Sequence, residues 1–402
     1  MNVLYITNQD PNEYGTGGQQ RANLITRAII ACIGHTDVLC LRTVPVENNS
    51  IANCSIISID NDSTNSNISH SVFLERLIKI KRFLYIFSNQ VIEKKDPSLA
   101  KKINDIIGKN NYDYIICSII DAVKFDLTFN KKIILDLDDL PEQLYKTKNK
   151  ITVKKNIIKY ILKSLFNKII YNAIHYHTQK ISKKCKYVFL SNKKQCLLFR
   201  NSLHLPGIPY FKNTNSLTIL PENKFNVLFV GTLVYSANFY GVEHFIEKIW
   251  PNIIREIPNA HFNIVGHNDG PYLTNEKIKY WESFSGVKIL GFAEDIAFEY
   301  SKNNVVVAPI YQGAGMNVKV IEAMHMGKAC VISSFASRSF ESFLDNENIL
   351  ISKNDDEFAC NVIKLLTDTE LSIKMGQNAK KAISKDYSIE KFFETVQSAI
   401  ID

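Results

Sequence analysis

The sequence predicts an α/β protein made of two doubly wound halves, and three observations carry that reading. Short apolar runs rich in Val and Ile alternate with helical patterns along the chain. The alternation occurs twice, as two complete sets. Between the sets stand Pro206, Gly207, Ile208 and Pro209, followed by a polar run to 223 that reads as a linker. Buried branched runs separated by helices are the pattern of a parallel sheet covered on both faces.

The first set opens with a strand over 2–7, a helix over 20–32 and strands over 36–41 and 54–59. The polar segment 61–70 predicts a surface loop, and 72–86 a helix. A helix over 97–107 has Asp96 placed to cap it and Pro97 at its first position, where a missing N–H costs nothing. Strands follow over 114–117 and 132–137, then a basic helical region to about 179. A strand over 187–191 and a helix close the set.

The second set predicts strands over 226–230, 261–265, 287–290, 304–308 and 329–333. Its helices fall over 242–257, 295–302, 318–326, 356–368 and 371–383. A last helix covers 389–401. The expected division is 1–210, 211–385 and a C-terminal helical piece 386–402 that crosses back to the first domain.

The chain has 402 residues, long enough for two domains with real cores. Its formal charge of +8 comes without a basic stripe interleaved with aromatics, which argues against a nucleic-acid binder. No apolar run reaches the ~18–20 residues of a membrane span, and the start MNVLYITN reads as a first strand instead of a signal peptide. Eight scattered cysteines form no C-x-x-C pair and no metal-spaced cluster, which points to reduced thiols in a cytoplasmic setting.

The most informative stretch is 312–327, QGAGMNVKVIEAMHMG. A buried-strand pattern ends at Pro309, Gly313 and Gly315 open a turn, and helical spacing begins at Val318. A glycine turn feeding a helix leaves backbone N–H groups unpaired and converging, which suits an anion. Lys319 adds a full charge there, and Glu322 lies on the same face one turn on. The alternative is a surface ion pair between the two, of little energy. The phosphate reading makes the site fit a nucleotide sugar, with Glu322 placed for a ribose or sugar hydroxyl.

The segment resembles the donor signature of family 4 retaining glycosyltransferases, through Gly313, Gly315, Lys319, Glu322, Ala323, Met324, Gly327 and Lys328. The resemblance implies the GT-B fold, two Rossmann-like domains facing a cleft. It implies that Lys319 and Glu322 are the catalytic-site pair and that backbone from Gly313 through Ala314, Gly315, Met316 and Asn317 contacts the donor. It extends to Gly231, Gly266 and the Gly291-Phe292 pair, the last beside the base. Asn238 stands in the loop where the family more often has a cation, and Ala314 replaces the first Glu of the family's paired-Glu motif. Lys319 is then the main donor-side base.

Gly15, Gly17 and Gly18 follow the first strand and would bring backbone close to a ligand, with Arg21 behind them. Asp136, Asp138 and Asp139 end a strand, where carboxylates suit a metal or a general base. The resemblance requires no metal and places Gly17, Gly18, Arg21 and Asp138 on the acceptor side. His175 and His177 alternate with aromatics and read as structural, and Asp295 reads as a helix cap. Segment 145–168 carries eight lysines and no acid, with Ile157, Ile158, Ile161, Leu162, Leu165 and Phe166 at helical spacing. That composition suits the surface of an anionic membrane, and equally a solvated helix packed on its own domain.

The expected function is transfer of a hexose from a UDP- or GDP-linked sugar to a hydroxyl of a surface glycan or lipid-linked saccharide, with retention. It would take place in the cytoplasm or on the inner membrane face, without a bound cofactor or nucleic acid. The alternative is a non-catalytic nucleotide-sugar-binding subunit.

Overall fold

The structure is a computed structural model. It describes residues 1–402 apart from 14–15, 42–50, 60–84, 131, 139, 149–156, 210–224, 268–269, 271, 314–315, 339, 341 and 402. The chain divides into two compact units, Met1–Pro206 with Phe392–Asp402, and Gly207–Lys391. The expected loop 61–70, nearly all of the expected helix 72–86 and the polar run 210–223 lie outside the described residues.

In the first unit the described strands are β1 (Val3–Thr7), β2 (Thr36–Leu41), β3 (Cys54–Ile59), β4 (Tyr114–Ser118), β5 (Ile133–Asp136), β6 (Tyr187–Leu190) and β7 (Ser202–His204). They form one parallel sheet in the order β3-β2-β1-β4-β5-β6-β7. Every residue of β1 is buried. That is the condition for a parallel sheet with helices on both faces. The helix Gly17–Ile33 starts where Gln19 Oε1 accepts from the Thr16 N–H at 2.9 Å and ends at Gly34, whose positive φ of 84° lets its N–H reach Ile30. The helix Pro97–Lys109 has the expected cap, Asp96 Oδ1 accepting from Leu99 N at 3.1 Å. A short helix absent from the sequence reading, Ile119–Lys124, begins directly off β4, with Ser118 as its cap.

The long helix Ile157–Ser182 meets this core mainly through its second half, with Phe166 of its first half also packed against it. Ile170, Ile174, Thr178 and Ile181 recur at three- and four-residue steps and are buried. His175 and His177 on this helix are engaged, His175 Nδ1 with Glu142 Oε1 at 2.8 Å and His177 Nε2 with the Ile86 carbonyl at 3.2 Å.

The second unit holds β8 (Asn226–Val230), β9 (His261–Val265), β10 (Val287–Gly291), β11 (Val305–Ala308), β12 (Ala329–Ser333) and β13 (Leu350–Ser352). They too run parallel, in the order β10-β9-β8-β11-β12-β13. Its core is aromatic: Phe229, Phe245, Trp250, Phe262 and Phe358 are almost wholly buried, and the Phe245 and Phe262 rings lie 4.7 Å apart. The Trp250 indole keeps a polar partner, donating to the Ser285 carbonyl at 2.8 Å.

The expected helix 242–257 begins earlier, at Ser236, and runs as Ser236–His244, a π turn Phe245–Ile249 and Trp250–Glu256. Gly241 is a packing glycine and not a break, because a Cβ there would lie 2.2 Å from the Pro309 carbonyl oxygen. The π turn falls just before Pro251, which lacks a helical N–H. The sequence reading missed β7, β13 and the helix Asn275–Glu282, since three-residue edge strands carry almost no periodicity.

Candidate functional site

In both units the strand order reverses between two neighbouring central strands, β1 and β4 in the first, β8 and β11 in the second. The connections leaving such a pair turn to opposite faces and open a crevice beyond the strand C-termini, where doubly wound sheets bind ligands.

In the second unit this point gathers the predicted donor residues from far apart in sequence. Gly231 ends β8 with φ of 155°, and a Cβ there would lie 2.9 Å from Asn238 Nδ2 and 3.0 Å from Lys319 Cε. The missing side chain is the space through which the lysine runs. Lys319 is half-buried and its ammonium donates to Asn238 Oδ1 at 2.7 Å. The other end of the same amide donates to the Thr232 carbonyl at 2.8 Å, which fixes which way the amide points. Asn238 therefore holds Lys319 in place. The surface pair of Lys319 with Glu322 is not the main contact of either group.

Glu322 accepts from the Tyr300 hydroxyl, at 3.0 Å from Oε2, and the same hydroxyl lies 3.3 Å from the Lys319 carbonyl oxygen. Tyr300 is fully buried, and its burial and the adjacent Glu322 drive its pKa well above the usual phenol value. Burial pushes the Lys319 ammonium down to about 8, with Glu322 opposing. Burial pushes Glu322 up to about 7, against the Tyr300 hydrogen bond and the Lys319 charge. Burial shifts both groups away from their ordinary values, a pattern that clusters at functional sites.

The glycine turn is placed by contacts the sequence did not announce. The Gly313 carbonyl accepts from Arg338 Nη2, and the Arg338 guanidinium lies 3.5 Å from the Phe335 ring centroid. Asn317 Nδ2 donates to the Ala336 carbonyl at 3.3 Å, just before the helix Val318–His325. Two N–H groups of the expected anion cradle are already committed, Val318 to Met316 O and Val320 to Asn317 O. Ala314 and Gly315 lie outside the described residues, and Met316 is half-buried. Gly266, with φ of 147°, packs so tightly that a Cβ would sit 2.2 Å from the Gly231 carbonyl oxygen. Phe292 is 52% exposed and stacks on His267, ring centroids 4.6 Å apart. Asp295 caps the helix Ile296–Ser301, accepting from Phe298 N at 3.0 Å.

The corresponding point of the first unit is a pocket of about 300 Å³ lined by the ends of β1, β4 and β5. Gly18 and Arg21 belong to its wall, while Gly17 starts the adjoining helix and is exposed. Arg21 does not offer its charge freely. Its Nε and Nη2 hold the two Asp136 oxygens at 3.0 and 2.6 Å, and Nη1 donates to the Leu205 carbonyl at 3.0 Å. Burial works against that charge, and the Asp136 and Asp138 carboxylates outweigh it, leaving the Arg21 pKa above its ordinary value. Asp138 lies 3.7 Å from Arg21 Nη1 with its side chain half exposed. Burial raises the Asp138 and Asp121 pKa values above the usual carboxylate range. Asp121, which accepts from the Ser118 hydroxyl and donates its N–H back to it, was not singled out in sequence; only the S-x-x-D spacing at a strand end signals it. Asp139 and Gly15 lie outside the described residues.

Residues 224–368 match the model of the family Glycosyl transferases group 1. The match falls within the second unit and supports a transferase enzyme with a group 1 glycosyltransferase domain. Among its relatives, an uncharacterized 44.6 kDa protein in the cps region of Klebsiella pneumoniae is 22% identical over 73% of this chain and 76% of that one. The UDP-Gal:alpha-D-GlcNAc-diphosphoundecaprenol alpha-1,3-galactosyltransferase of Escherichia coli is 27% identical over 46% of this chain and 47% of its own length. Sucrose-phosphate synthase from Thermosynechococcus elongatus superposes with a TM-score of 0.67 at 16% identity, covering 99% of this chain and 98% of that one. The last likeness is one of fold, two parallel-sheet Rossmann-like units of the GT-B kind.

The matched segment of the transferase contains Gly231, Asn238, Lys319 and Glu322 together, so the switch point of the second unit lies inside the family domain. Among the described residues, no group of three or more His, Cys, Asp or Glu side chains is placed to hold a metal. No helix among them is long and apolar enough to cross a membrane.

Proposed function

We propose that this transferase moves a hexose from a UDP-linked sugar to a hydroxyl of a lipid-linked or surface glycan, with retention at the anomeric carbon. The observation that carries the donor half is the Asn238–Lys319 contact of 2.7 Å across the switch point. It fixes one ammonium where a helix start and a glycine turn converge, an arrangement that suits a diphosphate. Glu322, oriented by Tyr300, is assigned to the donor ribose or sugar, and the exposed Phe292 face to the base. Lys319 stabilises the leaving diphosphate, so most of the rate enhancement is electrostatic. Preference for UDP over GDP and for a glycan acceptor takes support from the name of the Escherichia coli relative and the cps region of the Klebsiella one. Gly17, Gly18, Arg21 and Asp138 are assigned to the acceptor side.

Contact with the inner membrane face belongs to the same reading. Ile161, Leu162, Leu165 and Ile169 are each 46–61% exposed on the first half of the helix Ile157–Ser182, beside the exposed Lys163 and Lys168. An apolar stripe flanked by lysines suits an anionic lipid surface. Lys154 and Lys155, which would add to it, lie outside the described residues.

Purified protein supplied with UDP- and GDP-hexoses tests the donor assignment. UDP release from a UDP-hexose, well above that from the GDP-hexoses, is the expected result. Turnover of GDP-sugars alone would overturn the base assignment. Flotation with anionic vesicles tests the membrane contact: Leu162→Asn with Leu165→Asn should abolish it, and partitioning that the pair leaves intact would sink it.

A further inference from the structure

The pocket of the first unit has a chemistry of its own. Its described lining residues include three carboxylates, Asp121, Asp136 and Asp138, and one guanidinium, Arg21. That guanidinium is 6% exposed, with Nε and Nη2 donating to Asp136 and Nη1 to the Leu205 carbonyl. Among the described lining residues no other carries a positive charge. An anionic group entering here would meet Asp138 and Asp121 with nothing to pair with, in a site of reduced dielectric. A hydroxyl, in contrast, can donate to Asp138, whose side chain is 51% exposed. Asn8 and Gln9 add amides at the rim, and Ile6, Ile119 and Leu144 add apolar wall for the C–H face of a ring. At about 300 Å³ the pocket stands at the small end of ligand sites, with room for one sugar ring.

We propose that this pocket receives the acceptor as an uncharged sugar ring, and that Asp138 makes it reject rings bearing a carboxylate. The inference rests on the reading of the first unit as the acceptor side. Asp138 acts here as a specificity residue, accepting a hydroxyl hydrogen bond and repelling an anion.

Ligand-observed saturation-transfer NMR on the full chain, without donor, tests this with two matched pairs. Methyl glucoside is compared with methyl glucuronide, and methyl galactoside with methyl galacturonide, so each pair differs only at C6. At low salt the better-bound neutral ring should exceed its uronide by at least about tenfold, the scale of one unit charge facing another at partial burial. Asp138→Lys should bring that ratio to one or below, and Asp138→Asn should give an intermediate value. Thermal midpoints of both variants check that they fold, and the half-exposed side chain leaves room for either change. Uronides bound as well as neutral rings, no neutral ring bound at all, or a ratio that Asp138→Lys leaves unmoved would each overturn the proposal. The transferase reading is judged separately, by UDP release from the wild type. Failure there with the ratio intact would fell the donor assignment and leave the ring selectivity standing.

Discussion

The two units place a crevice at the same point of the same strand order and line it with opposite charge. In the second, Lys319 stands over the end of β8 and glycines clear its path. In the first, the one cation among the described lining residues, Arg21, is held by Asp136, and Asp121 and Asp138 add two further carboxylates. Topology decides where a ligand can sit, because connections diverge there and backbone ends are exposed. Side chains decide which ligand. Under the assignments proposed above, the second crevice takes the donor diphosphate and the first a ring rich in hydroxyls.

The largest effect should come from the charge that defines the second site. Lys319→Ala removes a charge-assisted contact of ~1.5–3 kcal/mol, so kcat/KM for a UDP-hexose should fall by roughly 10- to 150-fold. Steady-state kinetics and UDP titration measure it. If the variant also changed the uronide discrimination of the first unit, the two crevices would not be independent, and the contrast drawn above would collapse.

Gly231→Ala should act next. Its Cβ would press on Asn238 Nδ2 and Lys319 Cε at 2.9 and 3.0 Å, at a φ that side chains rarely adopt. A cost of ~1–3 kcal/mol is expected, read as a lower thermal midpoint together with weaker UDP binding. An unchanged midpoint would mean that the lysine does not need this gap.

A pH experiment isolates Glu322. Its carboxyl titrates at about 7 in the fold against 4.5 as its ordinary value. Between those values the folded state holds the proton that the unfolded chain has lost, so this group's contribution to stability falls as pH rises from 4.5 to 7 and is level above it. Asp121 and Asp138 slope the same way, so the informative quantity is wild type minus Glu322→Gln. The variant should show a shallower fall across that window in denaturant titrations. Parallel curves would place the titration in the first unit instead.

The smallest effect is the control. Gly17 has nothing within 4 Å of where a Cβ would stand, and it begins a helix. Gly17→Ala should raise stability by ~0.4–1 kcal/mol, read as a higher thermal midpoint. Loss of acceptor binding would show that the ligand's backbone approach, and not free space, explains that glycine.

Much of this was written in the sequence because it is local. Asp96 before Pro97 and Asp295 before the helix Ile296–Ser301 announce their helix starts, and valine runs such as β11 announce buried strands. The Gly313 turn, Lys319 and Glu322 lie within ten residues, so their proximity follows from helical spacing. What only the tertiary structure decided is which distant group each one meets. Asn238 is 81 positions from Lys319, Tyr300 is 22 from Glu322, and Arg21 is 115 from Asp136. Arg21, expected on the acceptor side, is tied to Asp136 and the Leu205 carbonyl, and Gly241 packs against the Pro309 carbonyl. Helix and strand periods are set by neighbours in the chain, whereas hydrogen-bond partners across a sheet are set by strand order. A strand order of this kind is fixed by long-range burial, which no local pattern encodes.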